Sequence, residues 1–99
     1  ANKVATEVPL SVLEACPEVI DLAAQVADKG NVNSLSDAGV GGLMGRAAAY
    51  GAYYNVLINL AGIEDEVWTA GIRQRADAAL ALVDEQAQAV QELVLERLG

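Results

Sequence analysis

The chain has 99 residues, too few for a second hydrophobic core, so residues 1–99 are read as a single domain. Fourteen acidic residues against six basic ones give a formal charge of −8, which argues against nucleic acid or an anionic membrane surface as partner, since both need clustered Lys and Arg. With no histidine and one cysteine, Cys16, an internal disulfide is impossible and no metal site is expected.

The hydrophobic fraction is 54%, yet Phe is absent and Trp occurs once, so the apolar content is mainly Ala, Val, Leu and Ile. Alanine loses no side-chain entropy in a helix, and this composition points to an all-α fold. A small chain this apolar cannot hide all of its hydrophobic surface. We therefore expect a homo-oligomer, a dimer or higher, whose contacts complete the bundle. The lone thiol and the lack of a basic segment leading into an apolar run suit the cytoplasm.

The first predicted helix covers residues 8 to 28. Pro9 suits a first turn, where its missing N–H is not needed. Leu13, Cys16, Ile20, Ala23 and Ala27 recur at three- and four-residue spacing as one apolar stripe. Pro17 is expected to bend or break the helix near Leu13. Residues 29 to 33 read as a turn, with Gly30 a left-handed cap.

The second helix is predicted to start at Ser34, capped by Ser34 with Asp37 as the returning carboxylate. Between residues 38 and 63 Arg46 is the one charge, and Gly39, Gly41, Gly42, Gly45 and Gly51 crowd the segment with small residues. Each glycine in a helix interior costs about 0.5–1 kcal/mol relative to Ala, so close approach of neighbouring helices must compensate. Apolar nearly all round, this helix is expected to be central and buried. A membrane span is disfavoured by Arg46, Asn55 and Asn59 and by the dominance of Gly and Ala over Leu.

The third helix is predicted from Asp65 to the end of the chain. Trp68, Ile72, Ala76, Leu80, Val83, Ala87, Val90, Val94 and Leu98 follow one face, with most charges off it. The expected architecture is a bundle of about three helices with a Gly/Ala-rich centre and a long amphipathic final helix.

Three blocks carry a family resemblance. Lys29, Gly30, Asn31, Asn33, Ser34, Ser36, Asp37 and Val40 resemble the KGNxNSxSDxxV block of the formiminotransferase-cyclodeaminase and methenyltetrahydrofolate cyclohydrolase family. Val8, Pro9 and Leu10 lie upstream, followed by the Glu14 and Cys16 region. Gly51, Ala52, Asn55, Val56, Ile58, Asn59 and Leu60 downstream are similar to the family's GAxxNVxINL helix. The resemblance covers most of residues 6 to 75.

It implies an all-helical, self-associating protein acting on a tetrahydrofolate derivative, which is the substrate, with no cofactor. Family members close 5-formimino-tetrahydrofolate to the 5,10-methenyl form with loss of ammonia, or hydrolyse the methenyl form to 10-formyl-tetrahydrofolate. Family domains are about twice this length, and their first half holds a Gly-rich helix start and an acidic motif followed by an aromatic residue. Neither occurs here, so the expectation is a partial domain, with a non-catalytic oligomerisation or binding module as the alternative.

The candidate catalytic residues are Asp37 and Lys29, which would share proton transfer. The candidate substrate-binding residues are Asn31, Asn33, Ser34, Arg46, Asn55 and Asn59. Each also has a structural reading. Asp37 closes a cap, Asn31 and Asn33 shape a turn, and Lys29 offsets a helix C-terminus. Asn55 and Asn59 lie four apart on a face expected to be buried, where each amide needs a hydrogen-bond partner. Arg46, isolated among apolar residues, needs a carboxylate, an exposed tip or a bound anion. Cys16 is read as core.

Overall fold

A computed structural model describes residues 3–99, and every element in it is a helix: α1 Lys3–Lys29, α2 Val32–Leu60 and α3 Glu66–Leu98. The connections are short, and the contacts fix the directions. Lys3 at the start of α1 pairs with Asp65 at the start of α3, and Arg97 at the end of α3 reaches Ala27 at the end of α1. Those two helices run parallel, with α2 antiparallel to both. The resulting rod measures 51 × 17 × 15 Å.

α1 starts earlier than its sequence predicts and passes through both prolines unbroken. The apolar stripe extends upstream through Leu10 to the fully buried Thr6, and the Lys3 ammonium sits 5.1 Å from the Trp68 ring centre, pinning the first turn. Pro9 is therefore inside the helix rather than at its start. A proline in a helix interior costs about 3 kcal/mol. Here that is offset by burial on either side of Pro17, where Leu13 and Ile20 are both fully enclosed.

The α1–α2 connection also departs from expectation. The cap of α2 is Asn31, not Ser34. Its backbone is extended, and its side-chain oxygen accepts the Ser34 N–H at 3.1 Å. Asp37, one turn further on, makes no return bond, because the Ser34 N–H is already taken. Gly30 is not left-handed; among the described residues no glycine has a positive φ. It is small for lack of room. A Cβ there would lie 2.5 Å from the Val26 carbonyl oxygen and 2.7 Å from the Ser34 Cβ. At the other end α2 tightens into a last turn in which Gly62 and Ile63 donate to Asn59 and Leu60. α3 then opens on Asp65, whose carboxylate accepts the Trp68 N–H at 3.0 Å.

The buried residues of α2 form a single stripe, Leu35, Ala38, Gly39, Gly42, Gly45, Ala49, Ala52, Val56 and Leu60. Burial all round is not observed, because two neighbours cover only part of a helix. Val40, Met44, Tyr54 and Ile58 remain exposed on the opposite side. The glycines divide accordingly. A Cβ on Gly45 would stand 2.8 Å from Ile20 Cγ1, and one on Gly42 would stand 3.0 Å from Val90 Cγ1. These two let α1 and α3 approach the α2 backbone. On α3, Gly71 has nothing within 4 Å of a built Cβ.

Two alanine substitutions should therefore act in opposite directions. Gly45→Ala gains helix propensity but overpacks the fully buried Ile20, and is expected to destabilise by about 1–2 kcal/mol. Gly71→Ala gains propensity alone and should stabilise by about 0.5–1 kcal/mol. Urea unfolding of the two variants beside the parent chain checks both signs.

Candidate functional site

The predicted site residues fall into three separate places on the rod. Lys29, Asn31, Asn33, Ser34 and Asp37 gather at the α1–α2 connection. Lys29 is the last residue of α1 and exposed, lining a shallow groove of about 380 Å³ with Leu22, Gln25, Val26 and Gly30. Asn31 is committed to the cap, where the Ser34 hydroxyl also approaches its side chain at 3.3 Å. Asn33 and Asp37 are exposed on the first turns of α2. No hydrogen bond or ion pair engages the side chains of Lys29, Asn33 or Asp37 among the described residues, and none links Lys29 to Asp37.

Asn55 and Asn59 lie toward the opposite end. At about 1.5 Å per residue, Asp37 and Asn55 are separated by roughly 27 Å along α2. Asn55 and Asn59 line an α1–α2 groove of about 450 Å³ together with Val8, Pro9, Val12, Ala48 and Gly51. The expected burial and helix-to-helix bonds are not found. Asn55 is exposed, and the half-buried Asn59 side chain donates to the Asn55 carbonyl on its own helix at 2.9 Å. The groove beside them supplies no polar side chain from α1.

Arg46 faces α3 rather than either end. Its Nε donates to Asp84 Oδ1 at 2.9 Å, its guanidinium lies 4.8 Å from the Tyr50 ring centre, and the Tyr50 hydroxyl donates to Asp84 Oδ2 at 2.7 Å. Asp84 is held below the usual carboxylate range, chiefly by the Tyr50 hydroxyl; partial burial opposes this, and Arg46 adds to the lowering through its hydrogen bond and its charge. The same bond raises the Tyr50 phenol, and Asp84 likewise raises Arg46. One turn further along, the Tyr53 hydroxyl donates to Asp77 at 2.6 Å, and that bond lifts the Tyr53 phenol. Arg46 has thus found its carboxylate, and the pair joins α2 to α3.

Sequence reasoning missed this row. Its signal was present: Asp77 and Asp84 are seven residues apart, as are Arg46 and Tyr53, so two antiparallel helices bring one set against the other. An open groove of about 670 Å³ lies beside it among Leu57, Leu60, Ala61, Thr69, Arg73 and Asp77, and contains none of the predicted site residues. Cys16 is core as expected. It is 6% exposed, its thiol donates to the Val12 carbonyl, and burial raises its pKa, leaving it an unreactive thiol at neutral pH.

A group whose native pKa lies below its unfolded value stabilises the fold above the unfolded pKa, and that contribution is lost as pH falls through the native one. For Asp84 the loss begins near the unfolded value of about 3.9 and runs downward. Asp84→Asn is therefore expected to lower Tm at pH 7 and to have a smaller effect at pH 2. Thermal melts by circular dichroism at the two pH values measure the difference.

The family model described as formiminotransferase-cyclodeaminase matches residues 1–78. A methenyltetrahydrofolate cyclohydrolase of Methylorubrum extorquens is 41% identical over 97% of this chain and 44% of its own length. Formimidoyltransferase-cyclodeaminases of Sus scrofa and Gallus gallus are 34% and 35% identical over 95% and 97% of this chain, each over 17% of its own length. The chain thus spans less than half the length of these curated relatives. Among the described residues no helix is long and apolar enough to cross a membrane.

Proposed function

The chain belongs to the formiminotransferase-cyclodeaminase family, and from that premise we propose that it acts on a tetrahydrofolate derivative in the one-carbon metabolism of the cytoplasm. The observation that carries this reading is the 41% identity to a methenyltetrahydrofolate cyclohydrolase along nearly the whole chain. It favours hydrolysis of 5,10-methenyl-tetrahydrofolate over the ring closure named in the cyclodeaminases. Folate is the substrate in this reading, and no cofactor is involved.

In the hydrolytic reaction water adds to the electrophilic amidinium carbon, one proton leaves the water, and the C–N bond to one ring nitrogen breaks to give the 10-formyl product. Asp37 takes the proton from water, and Lys29 manages the proton at the departing ring nitrogen or meets the anionic tail of the folate. Their exposure and lack of partners support these roles, since neither is committed to holding the fold. Asn33 beside them can donate to and accept from the pterin ring. Asn31 and Ser34 act indirectly, by fixing the helix start that carries Asp37. Asn55 and Asn59 lie too far along the same helix to reach the same small molecule from one copy. If they bind folate, they do so in a site to which another copy contributes.

A second reading follows from that separation. A module that retains the fold and self-associates, without catalysis, also accounts for the exposed apolar faces of α1 and α2. The absorbance of 5,10-methenyl-tetrahydrofolate distinguishes the two. Purified chain should accelerate its loss over buffer, and Asp37→Ala should reduce that acceleration about 10²-fold or more. No acceleration and no binding would leave the non-catalytic reading standing.

A further inference from the structure

The polar residues assigned to folate chemistry flank a connection that α3 holds with its last turns. α1 ends at Lys29 and α2 begins at Val32, so Gly30 and Asn31 alone carry the chain from one helix to the other. The last carbonyls of a helix have no donors within it. At this end the Gly30 N–H serves Val26 at 2.7 Å, and the next two carbonyls are served from another helix. Arg97, 70 residues on from Ala27, donates through Nη1 to the Ala27 carbonyl at 2.8 Å and also to that of Asp28. A cation there also meets the negative end of the α1 dipole.

Two further contacts set the end of α3 against the start of α2. The Gln91 amide donates to the Gly39 carbonyl at 3.1 Å, and a Cβ on Gly39 would stand 3.4 Å from Cγ1 of the buried Val94. The connection is thus held on both sides, and it has little slack. Gly30 is crowded by Val26 and Ser34, while Asn31 accepts the Ser34 N–H on its side chain and the Leu35 N–H on its carbonyl. A shift at the end of α1 must therefore move the Asn31 cap and the turns of α2 that carry Asn33 and Asp37.

We propose that Arg97 is the positioning residue of this site: by capping α1 it orders the connection and so sets Lys29 against Asn33 and Asp37. The inference rests on the folate reading above and gives that reading a residue outside the stretch 1–78 that the family model matches. Arg97 is assigned no contact with the substrate. Its side chain is exposed, so shortening it takes nothing from the core and leaves the bundle folded. What is lost is the donor to two carbonyls, one of them on the fully enclosed Ala27. Gln91 and Val94 still hold α2, and the last turn of α1 is what loosens.

Hydrogen exchange and turnover test this on the same variants. In Arg97→Ala the amides of Gly30, Ser34 and Leu35 should exchange about tenfold faster than in the parent chain. Hydrolysis of 5,10-methenyl-tetrahydrofolate should lose about tenfold in kcat, with KM changed by less than about twofold. Arg97→Lys keeps a charged donor and should recover part of both losses. Arg75→Ala, which removes the pair with Glu14 elsewhere between the same two helices, should change neither. Unchanged exchange in Arg97→Ala overturns the proposal, whether or not the chain turns over folate. Faster exchange with turnover equal to an active parent's overturns it as well. A raised KM with kcat and exchange unaltered overturns it in favour of direct contact with the anionic tail of the folate. Faster exchange in a chain whose parent shows no turnover upholds the hold of Arg97 on the connection and sinks the folate reading alone.

Discussion

Everything in this bundle depends on how closely α1 and α3 approach α2. Gly45 admits Ile20 of α1, Gly42 admits Val90 of α3, and a Cβ at either position would fall at or inside the closest contacts that real side chains show. The small residues weaken α2 as an isolated helix, since glycine loses the most backbone freedom on folding. What they provide is area. With no side chain between them, the backbones draw together and the long rows on α1 and α3 bury their inner faces, leaving Leu13, Ile20, Val83 and Val90 with no exposed surface.

Close packing fixes separation but not register along a 51 Å rod, and polar contacts at intervals supply that. Lys3 and Asp65 clasp one end, and Arg97 caps the carbonyls at the end of α1 on the other, donating to Ala27 at 2.8 Å and also to Asp28. Between them lie Glu14 with Arg75, Tyr53 with Asp77, the Arg46–Tyr50–Asp84 group, and Gln91 on the Gly39 carbonyl at 3.1 Å. Most of these are exposed, so each is worth little in energy. A helix that slipped by one turn would lose several at once, which makes them selective for a single alignment.

The same economy shapes the functional surface. Arg46, a candidate binding residue in the sequence, pairs with Asp84 across α2 and α3, and Asn31 caps α2. Lys29, Asn33 and Asp37 have no such duty. They sit exposed at the connection between α1 and α2, and the proposed folate chemistry is assigned to them because no contact within the fold engages their side chains. The apolar faces beside them, the outer sides of α1 and α2, are the other surface left without a role inside one copy.

Much of the fold was legible in the residues themselves. Two apolar stripes, the glycine-rich middle of α2 and a third-helix start near Asp65 mark out three helices, because helical spacing is a local property. The family followed from three ordered blocks for the same reason. What only the tertiary structure decided depends on neighbours distant in sequence. Pro17 stays helical because Leu13 and Ile20 are enclosed by other helices. Gly30 is small because Val26 and Ser34 crowd it, not because the backbone turns left. α2 is half exposed because three helices of one copy cannot surround it. Arg46 finds Asp84 because α2 and α3 run antiparallel in one register. In each case local chemistry allowed more than one outcome, and the packing of one helix against another selected among them.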